Sequence, residues 1–376
     1  MKVIILFTYG ISLKDWKSSG LLEREIKIYN YLSEKFGFQF KFITFGDESD
    51  LDYQSYIPNI EIIPIYKHIN KSNNKYLELI RSFFYPLKIK KLTTFEKSII
   101  KTNQLWGAWI AIILKLLTNN PLMIRTGYDL LTFKKNESTS KLKLLFYKYL
   151  TKISLKYSDK YIVTSKTDFH FLANKFKKYK SKISIIPNWI EKLDTIETKK
   201  FINKIVSVGR LEKQKNFQHL VMQISNSNLE LDIYGEGSEK ENLMEIAKKN
   251  NSNVNFLGRV SNIDLINKLT NYKYFVSSAL YEGNPKALLE AMSAGCIVIA
   301  PNVSGINEII NNEYNGYLYE LQNNNLPNFI NEIEKKDNTS ILKNTKEFLS
   351  SNHEIKIIAE KEQEVYSYLF NISKIS

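Results

Sequence analysis

The sequence of 376 residues contains few of the residue types that build disulfides and zinc sites. Its single cysteine, Cys296, excludes an intrachain disulfide framework and any metal site made of several thiolates. One cysteine also favours a reducing compartment. The histidines show no spacing typical of metal ligands, and we predict no metal site. They are His68, His170, His219 and His353.

A long apolar run is also missing. The longest apolar stretch, Leu105–Leu114, ends at Lys115, whereas a membrane-spanning helix needs roughly 20 apolar residues. The first ten residues, MKVIILFTYG, have too few apolar positions for the core of a signal peptide and predict a buried strand instead. These features predict a cytoplasmic protein without a membrane-spanning segment.

Acidic residues are scarce in the first half of the chain. Residues 1–190 carry 32 Lys+Arg against 15 Asp+Glu, whereas residues 191–376 carry 21 against 24. Within the first half, residues 134–182 contain 14 lysines interleaved with leucine, phenylalanine and tyrosine. Such a segment suits an anionic lipid surface, which would place the protein peripherally at the inner face of the cell membrane. The alternatives are a solvated face of a lysine-rich protein and a nucleic-acid-binding surface.

The hydrophobic pattern predicts two series of short apolar strands that alternate with amphipathic helices, which is typical of parallel α/β sheets. The predicted strands of the first series are Lys2–Phe7, Gln39–Thr44, Ile60–Ile63, Lys97–Lys101, Leu122–Arg125, Lys160–Val163 and Ile183–Ile186. Those of the second series are Lys204–Val208, Leu229–Tyr234, Val254–Leu257, Tyr274–Ser277 and Ile297–Ala300. The clearest predicted helices are Glu23–Lys35, Lys141–Leu155, Phe217–Ser225, Glu239–Asn250, Asn262–Asn271 and Pro285–Ala294.

The length of the chain exceeds what one hydrophobic core usually supports, so we expect two Rossmann-like domains that face each other across a cleft. The first is predicted at 1–190 and the second at 201–353, joined by a polar, aperiodic linker at 191–200. The last helix, within 354–376, has no strand after it and is expected to pack back on the first domain. In such sheets ligands bind at the carboxyl ends of the strands.

Two strand ends in the second predicted domain carry the glycines and cations that a diphosphate requires. In VSVGRLEKQKNF a strand ends at Gly209 and is followed by Arg210 and then Lys215. A glycine at a strand end lets a ligand approach the backbone, and cations beside a helix start attract phosphates. The next strand ends in YGEGSEKENL with Gly235 and Gly237, which is less than a full dinucleotide-binding motif. A solvated loop and a tight turn are the structural alternatives for these segments.

The stretch LYEGNPKALLEAMSAGCIVIAP places Glu282 in a loop and Glu290 about two turns along a helix. At 3.6 residues per turn, both carboxylates are expected to face one cleft. The helix start after Pro285 offers backbone amides to a phosphate, while carboxylates accept hydrogen bonds from sugar hydroxyls. Nucleotide-sugars carry both groups. A solvated Glu290 is the weaker alternative, because its neighbours in the sequence are apolar and a carboxylate among them needs a partner.

These segments together resemble the retaining family 4 glycosyltransferases of the GT-B fold. The resemblance rests on Gly-Arg with lysine five residues later, the Tyr-Gly-Glu-Gly turn, Glu-x7-Glu followed by AMSAG, and SGINEIINNEYNGYLY at 304–319. It covers nearly all of the second predicted domain. In the first domain it is carried by SSGLLEREI, YIVTSK and IIPNWIE. The fold implied is α/β, with two facing Rossmann-like domains of parallel sheets and an inter-domain cleft.

The resemblance implies a role for each matching residue of the second domain. Arg210 and Lys215 would hold the diphosphate, and both are candidate catalytic residues. Glu282, the third catalytic candidate, would bind a hydroxyl of the donor sugar, whereas Glu290 would bind the ribose hydroxyls. We expect Asn284 to bear on which sugar is bound. The remaining donor-side candidates are Gly209, Gly235, Gly237, Gly283, Pro285 and Leu288.

The chain departs from the family's pattern in the part expected to bind the acceptor. Ser19 stands where the family often has the first of two adjacent glycines. RTGYDL, at 125–130, stands where many members have a histidine, so no catalytic histidine is carried over. Trp189 replaces a glycine that is common after Pro-Asn, which predicts an aromatic wall. The candidate acceptor-side residues are Ser19, Gly20, Tyr128, Asp129 and Asn188.

The resemblance implies a retaining, metal-independent glycosyltransferase that moves a hexose from a nucleotide-diphosphate sugar to a hydroxyl of a glycan or lipid-linked acceptor. Such a reaction belongs to cell-surface polysaccharide synthesis. No cofactor is implied besides the nucleotide-sugar co-substrate, because cations and a helix dipole would neutralise the leaving diphosphate. The alternatives are another GT-B enzyme, such as a nucleotide-sugar epimerase or a sugar-phosphate synthase, and a basic nucleic-acid-binding protein. We expect no nucleic-acid partner, since the glutamate pair would then have no purpose.

One acidic motif has a different interpretation. Asp50-Leu51-Asp52 matches the Asp-x-Asp that chelates a metal in the other large glycosyltransferase fold. It lies in an acidic loop, GDESDLDY, far along the chain from the nucleotide motifs. We therefore expect no metal role for it.

Overall fold

The computed structural model describes residues 1–127, 131, 140–191, 200–201, 203–322 and 325–373. The chain divides into two compact units. Unit 1 comprises Met1–Ile186 and Ala359–Ser376, and unit 2 comprises Pro187–Ile358. The linker predicted at 191–200 falls mostly on residues 192–199, which lie outside the described residues.

Among the described residues of unit 1, seven strands form one parallel sheet. They are β1 (Lys2–Leu6), β2 (Gln39–Thr44), β3 (Ile60–Pro64), β4 (Ser98–Thr102), β5 (Leu122–Arg125), β6 (Lys160–Val163) and β7 (Ile183–Ile185). Their order in the sheet is β3-β2-β1-β4-β5-β6-β7. The chain moves outward from β1 to β3 and then crosses back to β4 on the other side of β1, as in a doubly wound fold. The helices described between them are α1 (Leu13–Ser18), α2 (Leu22–Phe36), α3 (Lys75–Ser82), α4 (Tyr85–Leu92), α5 (Ala108–Thr118), α6 (Lys141–Tyr157) and α7 (Lys166–Lys175).

Unit 2 repeats this topology with six described strands, all parallel. They are β8 (Lys204–Val208), β9 (Glu230–Tyr234), β10 (Val254–Gly258), β11 (Tyr274–Val276), β12 (Ile297–Pro301) and β13 (Tyr317–Tyr319), in the order β10-β9-β8-β11-β12-β13. Its described helices are α8 (Phe217–Gln223), α9 (Lys240–Lys249), α10 (Asn262–Leu269), α11 (Lys286–Ser293), α12 (Leu326–Glu334) and α13 (Thr339–Asn352). The chain ends in α14 (Ile355–Ser373). Buried apolar side chains lie on both faces of this sheet, which explains why its strands read as continuous apolar runs.

All twelve predicted strands are present, with ends that differ by at most one residue. The predicted α/β class with two Rossmann-like domains is therefore confirmed. The pattern missed β13, because a strand of three residues is too short to form a recognisable apolar run. Within the described residues, no helix combines the length and the apolarity that crossing a bilayer requires.

Residues 187–190 belong to unit 2, although the sequence prediction placed them at the end of the first domain. The reason is a pair of backbone hydrogen bonds. The amide of Ile190 donates to the carbonyl of His353 at 2.8 Å, and the amide of Ile355 donates to the carbonyl of Ile190 at 3.0 Å. From Ala359 onward, α14 belongs to unit 1.

The part of α14 in unit 1 is held by a buried charge network. Nζ of Lys101, at the end of β4 and 1% exposed, lies 2.6 Å from Oε2 of Glu362 and 2.8 Å from the hydroxyl of Tyr366. Nη1 of Arg125 lies 3.3 Å from Oε1 of Glu362. Burial by itself raises the pKa of Glu362, but the charges of Lys101 and Arg125 outweigh it and hold that pKa below its usual range.

Asp50 of the Asp-x-Asp segment has a structural task. It is fully buried, and its carboxylate accepts hydrogen bonds from the amides of Leu13 and Lys14, both at 3.2 Å, and from the Thr44 hydroxyl at 2.5 Å. Leu13 and Lys14 are the first residues of α1, whose amides have no partner inside the helix. Burial raises the pKa of Asp50, while these hydrogen bonds act in the opposite direction.

Candidate functional site

Two strand ends of unit 2 lie so close that only glycine fits between them. The amide of Gly209, which follows β8, donates to the carbonyl of Tyr234 at 3.0 Å. Gly235 follows β9 with φ +149°, and a Cβ atom there would overlap the carbonyl oxygen of Gly209. A Cβ atom on Gly237 would likewise overlap the carbonyl of Leu211. The glycines thus form an edge of half-buried backbone without side chains at the carboxyl ends of the two strands.

Lys215 crosses this edge. A 3₁₀ turn, Lys213–Lys215, ends at Asn216 and directs the Lys215 side chain back over Gly209, where a Cβ atom would lie 3.2 Å from Cε of the lysine. Nζ of Lys215 forms an ion pair with Oε1 of Glu282, with side-chain exposures of 19% and 10%. The structure therefore brings together two of the three residues that the sequence indicates as catalytic.

Hydrogen bonds hold the loop that carries Glu282 against the Lys215 turn. The hydroxyl of Ser278 donates to the carbonyls of Lys215 and Asn216, both at 2.9 Å. Nε2 of Gln214 donates to the carbonyl of Tyr281 at 2.6 Å. These bonds fix the backbone of the Lys215 turn against the backbone of the loop that carries Glu282. The position of the ion pair is therefore not set by the flexible side chain of Lys215 alone.

The other side of the Glu282 loop rests on Gly305. The amide of Glu282 donates to the carbonyl of Ser304 at 3.0 Å. Gly305 has φ +82°, and a Cβ atom there would overlap the carbonyl oxygens of Glu282 and Gly283. A left-handed residue in such close contact must be glycine.

The start of α11 lies next to Glu282 in the chain. Its N-cap residue, Pro285, forms no side-chain hydrogen bond within the described part of the chain. The amides of Ala287 and Leu288 lie at the positive end of the helix dipole. Such a helix start, with Lys215 close by, is suited to bind the phosphates of a ligand.

Glu290 lies farther along α11 and is 4% exposed. Its Oε1 accepts a hydrogen bond from Nδ2 of Asn262, the first residue of α10, at 3.0 Å. A buried carboxylate needs such a partner, as the apolar neighbours in the sequence predict. Arg210 differs, because its side chain is exposed and forms no ion pair among the described residues.

Comparison with known proteins identifies this unit. A protein-family model described as "Glycosyl transferases group 1" matches residues 187–348. Unit 2 is a group 1 glycosyltransferase domain. It contains every donor-side residue that the sequence indicates.

Two relatives illustrate the range of similar proteins. The UDP-Gal:alpha-D-GlcNAc-diphosphoundecaprenol alpha-1,3-galactosyltransferase of Escherichia coli is 28% identical over 294 residues, which cover 71% of this chain and 73% of that protein. The UDP-N-acetylglucosamine--peptide N-acetylglucosaminyltransferase GtfA subunit of Streptococcus agalactiae is 29% identical over 173 residues, which cover 43% of this chain and 34% of that subunit. The chain thus spans about a third of the length of this second relative.

Solved structures show the fold of the whole chain. The sucrose-phosphate synthase of Thermosynechococcus elongatus superposes with a TM-score of 0.76 at 18% identity, covering 99% of this chain and 100% of that one. At this identity the likeness establishes the fold alone. The chain has the GT-B fold, as the sequence resemblance predicts.

Asn284 and Asn188 contact each other inside the glycosyltransferase domain. Oδ1 of Asn284 accepts from the amide of Asn188 at 2.8 Å, and Nδ2 of Asn188 donates to the carbonyl of Asn284 at 2.7 Å. The sequence indicates Asn188 for the acceptor side and Asn284 for the sugar. The structure pairs both residues in unit 2, so the side-chain Oδ1 of Asn284 and the side-chain Nδ2 of Asn188 already have hydrogen-bond partners. Next to them, Trp189 is buried beneath Nζ of Lys286, which lies 4.2 Å from the ring centroid.

The remaining acceptor-side candidates lie in unit 1 or outside the described residues. Ser19 ends α1, and its hydroxyl donates to the carbonyl of Asp15 at 2.6 Å. Gly20 follows with φ +68° and begins the turn into α2. Tyr128 and Asp129 lie outside the described residues. Their predicted roles stay predictions.

Sequence reasoning missed the residues that support the site. Three hydrogen bonds support the site: Gln214 with Tyr281, Ser278 with Lys215, and Asn262 with Glu290. The two partners of each bond are at least 28 positions apart in the sequence. Such partners give no local signal in one sequence. Gly305 had a signal, because it stands in the SGINE segment on which the resemblance partly rests.

Proposed function

We propose that this protein transfers a hexose from a nucleotide-diphosphate sugar to a hydroxyl of a glycan or a lipid-linked acceptor. The observation that carries the proposal is the Lys215–Glu282 ion pair, which lines one pocket with Ala287 and Leu288 at the start of α11, within a group 1 glycosyltransferase domain. The two relatives described above are named for UDP-sugar donors, and one of them for a diphosphoundecaprenol acceptor. A UDP-sugar is therefore the donor to test first, and surface-polysaccharide synthesis at the cytoplasmic face of a membrane is the proposed setting.

Each candidate residue has a task in donor binding. Lys215, the exposed Arg210 and the amides of Ala287 and Leu288 would neutralise the diphosphate, as cations and helix starts do elsewhere. The diphosphate competes with Glu282 for Lys215, which frees the Glu282 carboxylate to accept a hydrogen bond from the donor sugar. Glu290 would accept hydrogen bonds from the ribose hydroxyls.

We further propose that the reaction retains the anomeric configuration and needs no metal. The bond between the anomeric carbon and the phosphate oxygen breaks, and the acceptor oxygen bonds to the same face of that carbon. The proton of the acceptor hydroxyl passes to an oxygen of the leaving diphosphate. The positive groups around the diphosphate support this chemistry because they stabilise charge that develops on the leaving group. Undiminished transfer in excess chelator, and an α-linked product from an α-linked donor, are the expected results.

Substitution of the two carboxylates tests the assignment. Glu282→Gln and Glu290→Gln keep size and hydrogen-bonding capacity but remove the charge. We expect Glu282→Gln to lower kcat/KM for transfer by roughly 10²–10³, the typical effect of losing one charged transition-state contact. Glu290→Gln should mainly weaken UDP binding, measured by calorimetry. The matched control is Glu245→Gln, an exposed carboxylate in the middle of α9, which should change neither quantity.

The outcome separates this function from its alternatives. Transfer rates equal to those of the control variant would refute the roles of Glu282 and Glu290. Conversion of a nucleotide-sugar without any acceptor would indicate an epimerase, and transfer to a sugar phosphate alone would indicate a synthase. Tight binding of duplex or single-stranded nucleic acid at physiological salt, without nucleotide-sugar binding, would favour the nucleic-acid alternative.

A further inference from the structure

Exposed large apolar side chains are concentrated in one part of unit 1. Among the described residues, 12 of the 23 exposed large hydrophobic side chains lie between Tyr76 and Ile153. Half of those 12 come from α3, α4 and the two residues between them: Tyr76, Leu77, Ile80, Phe83, Phe84 and Leu87. Tyr76 is 82% exposed and Phe84 is 64% exposed, so these two side chains are not core residues with only a small part of their surface in solvent. Patches of this kind on a protein surface usually mark an interaction site.

The orientation of α3 is the reverse of an ordinary surface helix. It buries its only acidic residue, Glu78, together with Ser82, and turns its apolar side to solvent. Oε2 of Glu78 accepts from the amide of Ser72 at 2.8 Å, and Oε1 accepts from the hydroxyl of Tyr85. The hydroxyl of Ser82 accepts from Nε1 of Trp109 at 2.9 Å. These polar contacts hold the apolar face outward, against the usual tendency of such a face to be buried.

A second apolar stripe lies on α6. Leu142, Leu145, Phe146, Tyr149 and Ile153 are all exposed, and their spacing of three and four residues places them on one side of the helix. The opposite side of α6 packs on the unit through Leu150, Thr151, Ser154 and Leu155. The helix therefore has two apolar sides, of which only one is covered.

Aromatic rings connect the two exposed stripes. Phe83 stacks on Trp109 with ring centroids 5.8 Å apart, and Trp109 meets Trp106 at 5.2 Å. Trp106 in turn lies 6.1 Å from Phe146. We call the surface formed by the exposed apolar residues of α3, α4 and α6 the apolar surface.

Basic residues border the apolar surface. The helix α6 carries five exposed lysines and no acidic residue: Lys141, Lys143, Lys148, Lys152 and Lys156. The stretch from α3 to α4 adds Lys75, Arg81, Lys88, Lys90 and Lys91, and its single acidic residue is the buried Glu78. A long apolar stripe flanked by lysines is typical of segments that lie in the interface of an anionic bilayer.

We propose that the apolar surface docks this protein on an anionic lipid bilayer. The aromatic and aliphatic side chains of α3, α4 and α6 enter the boundary between headgroups and acyl chains, while the lysines contact the headgroup phosphates. The charge pattern argues against a second copy as the occupant, since a symmetric dimer through this surface would bring lysines against lysines. The exposed aliphatic side chains argue against nucleic acid, whose phosphates offer them nothing to pack on. The meaning of the docking rests on the proposed function, because it would bring the enzyme to lipid-linked acceptors.

Vesicle co-sedimentation with the full chain tests the proposal. We expect retention on vesicles of phosphatidylcholine and phosphatidylglycerol at low salt, and at least about tenfold weaker retention on phosphatidylcholine alone. The triple variant Tyr76→Ser, Phe84→Ser, Leu87→Ser should lose about tenfold or more in binding. Lys88→Gln, Lys148→Gln, Lys152→Gln should lose a similar amount on the anionic vesicles only. The matched control replaces exposed apolar residues of unit 2, Met222→Ser, Met244→Ser, Ile263→Ser, and should bind as the unchanged protein does.

The readouts separate docking from catalysis. Calorimetric UDP binding and transfer to a water-soluble acceptor should be the same in the serine variant as in the unchanged protein. If transfer fails for all variants while vesicle binding follows the pattern above, the docking surface stands and the proposed function does not. Equal sedimentation with neutral vesicles, anionic vesicles and no vesicles would overturn the docking proposal. Two further results would overturn it if the unchanged protein does not bind vesicles. One is a dimer, seen by light scattering, that the serine variant abolishes, and the other is a complex with nucleic acid that the serine variant abolishes.

Discussion

The two units share a strand order but differ in surface and interior. Unit 1 carries 34 Lys+Arg against 18 Asp+Glu, whereas unit 2 carries 19 against 21. The exposed apolar residues cluster in unit 1 and are scattered in unit 2. The same doubly wound fold therefore carries two different surfaces, since surface character resides in the side chains placed on a fold and not in its topology.

The interiors differ as well. Unit 1 buries a network of Lys101, Arg125 and Glu362 that joins α14 to β4 and β5. Unit 2 instead brings backbone against backbone at Gly235, Gly237 and Gly305, next to the candidate donor site. We infer that paired charges hold the terminal helix α14 in unit 1, whereas the backbone of the candidate donor site in unit 2 can pack closely only because its glycines have no side chains.

Glycine substitutions should show the largest difference between the units. Gly235→Ala in unit 2 places a Cβ atom on the carbonyl of Gly209, and we expect a loss of more than about 4 kcal/mol of stability or failure to fold. Gly10→Ala in unit 1 is the control, because Gly10 also has positive φ, +82°, but nothing lies within 4 Å of the added atom. It should cost only about 1–2 kcal/mol. Urea unfolding measures both, and equal costs would contradict the close contact at Gly235.

Breaking the buried network should have the next largest effect. Lys101→Met leaves Glu362 charged without its nearest cation, and we expect unit 1 to lose about 3–5 kcal/mol of stability. The control is Lys336→Met in unit 2, which removes an exposed pair with Glu313 and should cost at most about 1 kcal/mol. Tryptophan fluorescence follows unit 1 preferentially, because three of the four tryptophans, Trp16, Trp106 and Trp109, belong to it. Similar losses of stability for both variants would show that the buried ion pair contributes no more than the exposed one.

The network also predicts how unit 1 responds to acid. The pKa of Glu362 in the folded protein lies below its usual range, so its contribution is complete above the unfolded-state pKa of about 4.3 and is lost as the pH falls through the folded-state pKa. Unit 1 should therefore lose stability below about pH 4.3. Glu362→Gln should be less stable at pH 7 but show a shallower acid dependence, measured by fluorescence-detected unfolding. An unchanged slope would remove Glu362 as a cause.

The smallest expected effect concerns the segment that begins unit 2. Asn188→Ala removes the hydrogen bond from Nδ2 of Asn188 to the carbonyl of Asn284. Asn284→Ala removes the one from the amide of Asn188 to Oδ1 of Asn284, and each variant should cost about 1–2 kcal/mol. The double variant should cost about the sum of the two single losses, because the two changes remove two separate hydrogen bonds. A double variant that in thermal unfolding loses no more than either single variant would contradict this, because it would show that each bond forms only when the other is present.

Sequence reasoning reached the fold, and it placed the donor-side candidates correctly in loops and helices, because these signals are local. Strands buried on both faces appear as short apolar runs, and the glycines, cations and glutamates of unit 2 stand directly at strand ends and helix starts. Local spacing also placed Glu282 before a helix and Glu290 inside it. Those properties follow from neighbouring residues, so the sequence alone determines them.

The tertiary structure decided which partner each side chain meets and which apolar face is covered. Glu290 pairs with Asn262, 28 positions away, and Lys101 pairs with Glu362, 261 positions away. Asp50 has the sequence of a metal ligand, yet the fold uses it to cap α1. The apolar positions of α3 have helical spacing, yet they face solvent, because Glu78 and Ser82 on the other side of the helix contact Tyr85 and Trp109. Hydrophobic periodicity gives the spacing of a face, and only the packing of distant elements determines whether that face is buried.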